Sequence, residues 1–171
     1  MEVVRLTDEI SAPAFDCGDG DLNDFLAEDA IPSAKKRIAN TFVLIENKEV
    51  LAYFCLLTDK ITKQEVSNAD WRRMKKQFPR GKQFSSYPSI KIGRFAVAAG
   101  HEKNGIGTNL LNTIKIKLLE TISMPAYRFL TVDAYVDAIP FYEKNGFVQL
   151  QPMDDNKDTR LMYFDMLSLA E

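Results

Sequence analysis

Histidine occurs once and cysteine only twice in the 171 residues of this chain. Cys17 and Cys55 lack the short spacing of paired metal ligands, and His101 has no second histidine to join. No Cys- or His-rich metal centre is therefore expected. Two unpaired cysteines read as free thiols in a reducing cytoplasm. Long apolar runs are also missing: none reaches the roughly 20 residues that a bilayer-crossing helix needs, and no charged-then-apolar leader opens the chain. Repeats, low-complexity tracts and interdomain linkers are absent as well. These absences leave one compact cytoplasmic domain, residues 1–171, as the expectation. An apolar fraction of 46% beside 27% charged residues fits an ordinary globular core.

What the chain does have is an uneven charge distribution beneath a net charge of −2. Its first thirty residues hold nine acids (Glu2, Asp8, Glu9, Asp16, Asp19, Asp21, Asp24, Glu28 and Asp29) against Arg5 alone. By contrast Arg72, Arg73, Lys75, Lys76, Arg80 and Lys82 form a basic run without an acid. A solvated helix face is the ordinary reading of such a run. A polyanion contact is the other, because clustered Lys and Arg attract phosphates. Trp71 and Phe78 interleave with it, placed either to stack on bases or to anchor the helix to the core.

Periodicity predicts a first strand over 3–6 and an amphipathic helix over 21–30, with Leu22, Phe25 and Leu26 at helical spacing. Runs 41–45 and 50–58 read as strands of a hairpin closed through Glu46-Asn47-Lys48-Glu49. One or two helices are expected over 62–78, ending at Pro79. A strand over 90–97 then leads through a polar loop to a helix over 105–121, followed by a strand over 129–134 and a short helix over 140–144. Two last strands, 147–151 and 161–167, flank the acidic turn Asp154-Asp155-Asn156. The mixture predicts an α/β protein of the α+β kind: a central mixed, twisted sheet of six to seven strands with helices on both faces.

Two junctions stand out. Ile90 to Val97 passes through a loop into Gly105-Ile106-Gly107-Thr108, a strand–glycine–helix turn that offers backbone N–H groups at the positive end of a helix dipole. Later, Ala138-Ile139-Pro140-Phe141-Tyr142-Glu143-Lys144-Asn145-Gly146-Phe147 reads as a short helix closed by glycine. In this order and separation the two motifs resemble the GNAT superfamily of acyl-CoA N-acyltransferases. Its phosphate loop reads Gln/Arg-x-x-Gly-x-Gly/Ala, and its later helix often ends Tyr-Glu-Lys-x-Gly-Phe. Glu102 stands where the family has Gln or Arg, and Lys103 where glycine is common.

The resemblance implies acetyl-CoA as co-substrate and no metal. Its pyrophosphate would rest on the N–H groups of Lys103, Asn104, Gly105, Ile106, Gly107 and Thr108. Its pantetheine arm would run along Phe95, Ala96 and Val97, where an N–H near Ala96 or Val97 would hold the thioester carbonyl. Tyr142 occupies the place of the family's catalytic acid, which protonates the leaving thiolate. Read without the resemblance, Tyr142 is a core aromatic, and Phe141 the better core member of the two. His101 reads as a solvated loop residue or as part of the coenzyme mouth. No general base announces itself: Asp133 reads as a base or a strand-end hydrogen-bonding group, and Glu102 as a base or a solvated loop residue. An acceptor lysine is neutral in less than about one part in a thousand at pH 7, an α-amine in roughly a sixth of molecules, so a site without a base favours an α-amine.

A closer similarity joins Phe15 through Phe25-Leu26, Asn40 to Leu44, Tyr87-Pro88 and the Ile92-Gly93-Arg94-Phe95-Ala96-Val97 strand to the GNAT toxins of bacterial toxin–antitoxin modules. It implies acetylation of the α-amine of aminoacyl-tRNA and an antitoxin as partner; it leaves out about residues 65–86, so Arg72, Arg73, Lys75 and Lys76 are the expected tRNA contact on their clustered charge alone. A homodimer is among the assemblies it allows. An acetyltransferase for protein N-termini or small amines, and a non-catalytic acyl-CoA-binding domain, are the other readings of the same residues.

Overall fold

The computed structural model describes residues 1–8, 14–78, 84–121, 126–150 and 158–169. Pro79, Arg80 and Lys82 of the basic run and the Asp154-Asp155-Asn156 turn lie outside them. In chain order the elements are β1 (Glu2–Arg5), α1 (Gly20–Asp24), a π-helical turn (Phe25–Asp29), α2 (Ala30–Lys35), β2 (Asn40–Glu46), β3 (Glu49–Thr62), α3 (Asn68–Lys75), β4 (Ser86–Val97), α4 (Ile106–Glu120), β5 (Phe129–Tyr135), α5 (Ile139–Lys144), β6 (Val148–Gln149) and β7 (Thr159–Asp165). The mixed sheet expected from the sequence is present, with seven strands in the order β1-β2-β3-β4-β5-β7-β6. Two compact units divide the chain: Met1–Leu57 with Ile92–Thr121, and Thr58–Lys91 with Ile122–Glu171.

In the first unit β1 pairs antiparallel with β2, and β2 with β3. The β2–β3 turn is tighter than the four residues expected. Asn47 (φ 50°) and Lys48 (φ 69°) form the turn alone, the double positive φ of a type I′ hairpin whose twist matches the strands. The N-terminal helix runs on past residue 30, through Pro32, to Lys35. Pro32 lacks an N–H and its ring crowds the carbonyl one turn back. The widened turn at Phe25–Asp29, where Ala30 N–H reaches Phe25 O, accommodates it. Leu26 and Ala30 bury against Val43, Val50, Tyr53 and Ala96, and the Tyr53 hydroxyl donates to Leu22 O at 2.7 Å.

In the second unit β5 pairs antiparallel with β7, which also pairs with β6. The stretch expected to be helical from residue 62 starts later. β3 runs to Thr62, Glu65 folds back to accept from Thr62 N–H at 2.7 Å, and α3 begins only after Ser67. Ser67 caps α3 by accepting from Asp70 N–H at 3.2 Å. Ile61, Val66, Trp71, Met74, Tyr87, Phe129, Leu150 and Tyr163 form this unit's core. Among the described residues no helix is long and apolar enough to cross a membrane.

Candidate active site

The loop between β4 and α4 is tied down at its start. Past Val97, Ala98 N–H donates to Leu51 O and Ala99 N–H to Asp16 O, both at 2.8 Å. Gly100 (φ 81°), Lys103 (φ 64°) and Gly105 (φ 79°) then each take the left-handed conformation. Such reversals turn successive N–H groups toward one side and make an anion-binding concavity. A β-carbon on Gly105 would meet no protein atom within 4 Å. It is φ, not protein packing, that calls for glycine there. Lys103 adopts a conformation that costs a side-chain-bearing residue about 1 kcal/mol, which accounts for the family's frequent glycine at this place.

Gly105 is the N-cap of α4 and has no side chain with which to cap it. The first main-chain bond of the helix is Asn109 N–H to Gly105 O at 2.9 Å, so the N–H groups of Ile106, Gly107 and Thr108 precede the ladder at the positive end of the dipole. Such an arrangement suits an anionic group such as a phosphate. Glu102, the departure from the family pattern, is exposed but engaged: its Oε2 accepts from Gly100 N–H at 2.8 Å and so braces the loop. His101 N–H donates to Ala98 O at 3.0 Å in the same turn. Of the strand residues assigned to the pantetheine arm, Ala96 is buried, Phe95 and Val97 half-buried.

Tyr142 lies in the second unit, on α5, where Pro140 sits in the first turn. Gly146 (φ 83°) closes the helix, with Gly146 N–H on Glu143 O at 2.9 Å and Phe147 N–H on Tyr142 O at 3.0 Å. The expected division between the two aromatics is reversed. Tyr142 is 5% exposed, whereas Phe141 is half-buried. The Tyr142 ring sits edge-on to Phe141 at 5.1 Å and Phe147 at 5.4 Å. Burial pushes its phenol well above the ordinary tyrosine value. The hydroxyl thus keeps its proton throughout the working range.

The described part of the basic run, Arg72 to Lys76, lies on α3 and its C-cap, and its aromatics pack against the core and are not free stacking platforms. Trp71 is 6% exposed and stacks on Tyr87 at 4.8 Å; Phe78 stacks on the same ring at 3.9 Å. Arg73 pairs with Asp70 at 2.7 Å. Arg72 and Lys75 line a cleft of about 410 Å³ with Lys63, Asn68, Trp71, Phe84 and Ser85. Lys63 was missed by the sequence reading, since it belongs to the turn after β3 and not to the run.

Asp133 is not at a strand end. It lies within β5 and forms an ion pair with Lys91 of β4, whose Nζ is also 3.9 Å from Asp59 of β3. Cys17 and Cys55 are free thiols, and burial pushes both upward from the ordinary thiol value. No group of three His, Cys, Asp or Glu side chains that could hold a metal exists among the described residues.

Residues 38–149 match the acetyltransferase (GNAT) domain family. Among solved structures, AtaT complexed with acetyl-methionyl-tRNAfMet is 22% identical with a TM-score of 0.81, over 99% of this chain and 96% of that one. A tyrosine-to-phenylalanine mutant of KacT gives 22% and 0.80, over 99% and 96%. A mutant AtaT toxin bound to the C-terminus of the antitoxin AtaR and acetyl-CoA gives 22% and 0.74, over 98% and 94%. These likenesses show a shared fold. The match over residues 38–149 establishes that this chain belongs to the GNAT acetyltransferases, whose acetyl donor is acetyl-CoA.

Proposed function

We propose that this acetyltransferase modifies the α-amine of aminoacyl-tRNA, acting in the cytoplasm as one catalytic domain over residues 1–171. The observation that carries the proposal is the basic cleft on α3. Lys63, Arg72 and Lys75 bring three cations to one recess, with Asn68 and Ser85 as hydrogen-bonding neighbours, which suits phosphate groups of a nucleic acid. The fold shared with a toxin caught on acetyl-methionyl-tRNAfMet supports it. An antitoxin is a second proposed partner, supported by the neighbour bound to the C-terminus of AtaR.

In this reading the N–H groups from Lys103 to Thr108 receive the pyrophosphate, and Phe95, Ala96 and Val97 receive the pantetheine arm. A main-chain N–H near Ala96 or Val97 stabilises the negative charge that develops on the thioester oxygen as the amine attacks. The amine lone pair forms the C–N bond, the C–S bond breaks, and Tyr142 gives its phenolic proton to the sulfur.

The test is a charge reversal of Lys63, Arg72 and Lys75 to Glu. It should cripple acetyl transfer to charged tRNA while transfer to a small α-amine continues at the parent rate. Equal activity of the parent and reversed proteins on tRNA moves the acceptor to a protein N-terminus or a small amine. Acetyl-CoA binding with no transfer to any amine leaves a binding domain.

A further inference from the structure

The geometry points to Asp59, Lys91 and Asp133 as the cradle that receives the acceptor's ammonium group, with Asp133 taking its proton. The inference rests on amine acetylation and not on the nucleic-acid reading. Three strands contribute one charged residue each. Lys91 on β4 forms a close pair with Asp133 and stands 3.9 Å from Asp59, and its side chain is only 24% exposed. Two carboxylates share one ammonium, so the trio carries a net charge of −1. A second cation would balance it, and the acceptor of an acetyltransferase arrives mostly as one at neutral pH.

A separate feature of the same face marks the place as built for a polar group. Side chains alternate along a strand, so Tyr87, Ser89 and Lys91 of β4 share a face, as do Phe129, Thr131 and Asp133 of β5. Tyr87 and Phe129 pack together at 6.3 Å, which identifies the two faces as one. Between this aromatic floor and the charged trio lie two buried hydroxyls. Ser89 is 3% exposed, and its Oγ has no hydrogen-bond partner among the described residues. Among the described residues the Thr131 hydroxyl makes only long contacts, 3.4 Å to Asp59 Oδ2 and 3.4 Å to Ile90 O. A buried hydroxyl left unpaired costs about 1–3 kcal/mol, and a polar ligand or water reaching the trio would restore its partner.

Among the described residues, the charged groups facing Asp133 are few. β3 offers Asp59 and β4 offers Lys91; on β7 the residue opposite is the apolar Leu161, and on α3 Arg73 is paired with Asp70. Asp133 is the most open member, with its side chain 44% exposed. The nitrogen sheds two protons in becoming an amide. Asp133 accepts the first and passes it to solvent, and the lone pair so freed attacks the acetyl carbon. The second restores the proton that Tyr142 gives to the departing sulfur.

The experiment measures kcat/KM of Asp133→Asn on glycinamide and on charged tRNA from about pH 6.5 to about pH 9, on either side of an α-amine's own pKa. Near pH 6.5 the variant should lose about a hundredfold on both acceptors, the loss shrinking to a few-fold near pH 9, where the amine is already neutral. Acetyl-CoA affinity, measured by calorimetry, should hold. The double variant Asp133→Asn/Lys91→Met removes both members of the close pair, leaves a net charge of −1 on Asp59 and guards against a folding defect. It should show the same pH-dependent loss. A loss that is equal at all pH, a loss confined to tRNA, or no loss at all overturns the proposal. Because glycinamide carries no phosphate, failure of the tRNA reading leaves this result standing.

Discussion

Arg73 reaches back one helical turn to Asp70, its Nη2 2.7 Å from Oδ1, while Ser67 Oγ donates to the other carboxylate oxygen at 2.8 Å. Asp70 is itself buried, with its side chain 11% exposed, and Arg73 is half exposed at 52%. One of the four cations nearest the α3 surface is thereby engaged in holding the start of its own helix, and the phosphate contact falls to its neighbours. Arg73→Ala should therefore leave tRNA acetylation close to the parent level while lowering stability by about 0.3–1 kcal/mol in denaturant titration. A large loss of transfer with stability intact would return Arg73 to the nucleic-acid face.

The coenzyme loop separates two effects of glycine. Gly105→Val should weaken acetyl-CoA binding at least tenfold by calorimetry. The new side chain meets no protein atom within 4 Å at its β-carbon, but it faces a left-handed φ of 79° and the space over the N–H cradle. Backbone strain of about 1–2 kcal/mol is the expected stability cost. Glu102→Gln keeps an oxygen for Gly100 N–H and removes an anion near the phosphates, so affinity should hold or rise. Unchanged affinity in Gly105→Val would count against the cradle.

Tyr142→Phe preserves the ring contacts at 5.1 and 5.4 Å and deletes the donor. Acetyl-CoA affinity should barely change and turnover should fall by roughly a hundredfold. Near-parent turnover would reduce Tyr142 to a core aromatic.

The same burial has a pH signature in stability. Tyr142 and Tyr53 both have phenols raised by desolvation. In the unfolded chain such phenols ionise near pH 10. Above that pH the unfolded state binds fewer protons than the folded state, so stability falls as pH rises further; below it, their contribution is fully present. Tyr142→Phe should flatten the alkaline decline in unfolding free energy between about pH 10 and 12, measured by urea titration. A decline identical to the parent's would show that the hydroxyl is solvated.

Much of the fold was legible because its signals are local. Gly105 and Gly146 announced left-handed turns, and the β-rich run from Thr41 to Ile45 announced a strand. What stayed hidden depends on partners distant in sequence. Trp71 and Phe78 read equally well as stacking platforms until Tyr87 is seen between them. Lys63 joins the cleft only because β3 ends beside α3. The helix expected to end at residue 30 continues through Pro32 because the π-helical turn before it makes room for the ring. The Asp59–Lys91–Asp133 trio needs three strands aligned side by side, which no local pattern encodes.

Direct assay of charged tRNA as acceptor tests the central claim. Labelled acetyl-CoA, the purified protein and aminoacyl-tRNA are combined, and nuclease digestion releases the terminal aminoacyl-adenosine for mass analysis. An acetyl group on the α-amine is expected. Transfer should also fall roughly twenty- to fortyfold between about 50 and 200 mM salt, the release expected for three phosphates held by Lys63, Arg72 and Lys75. An unmodified aminoacyl-adenosine, from a protein that acetylates free amines at a salt-independent rate, would contradict that claim.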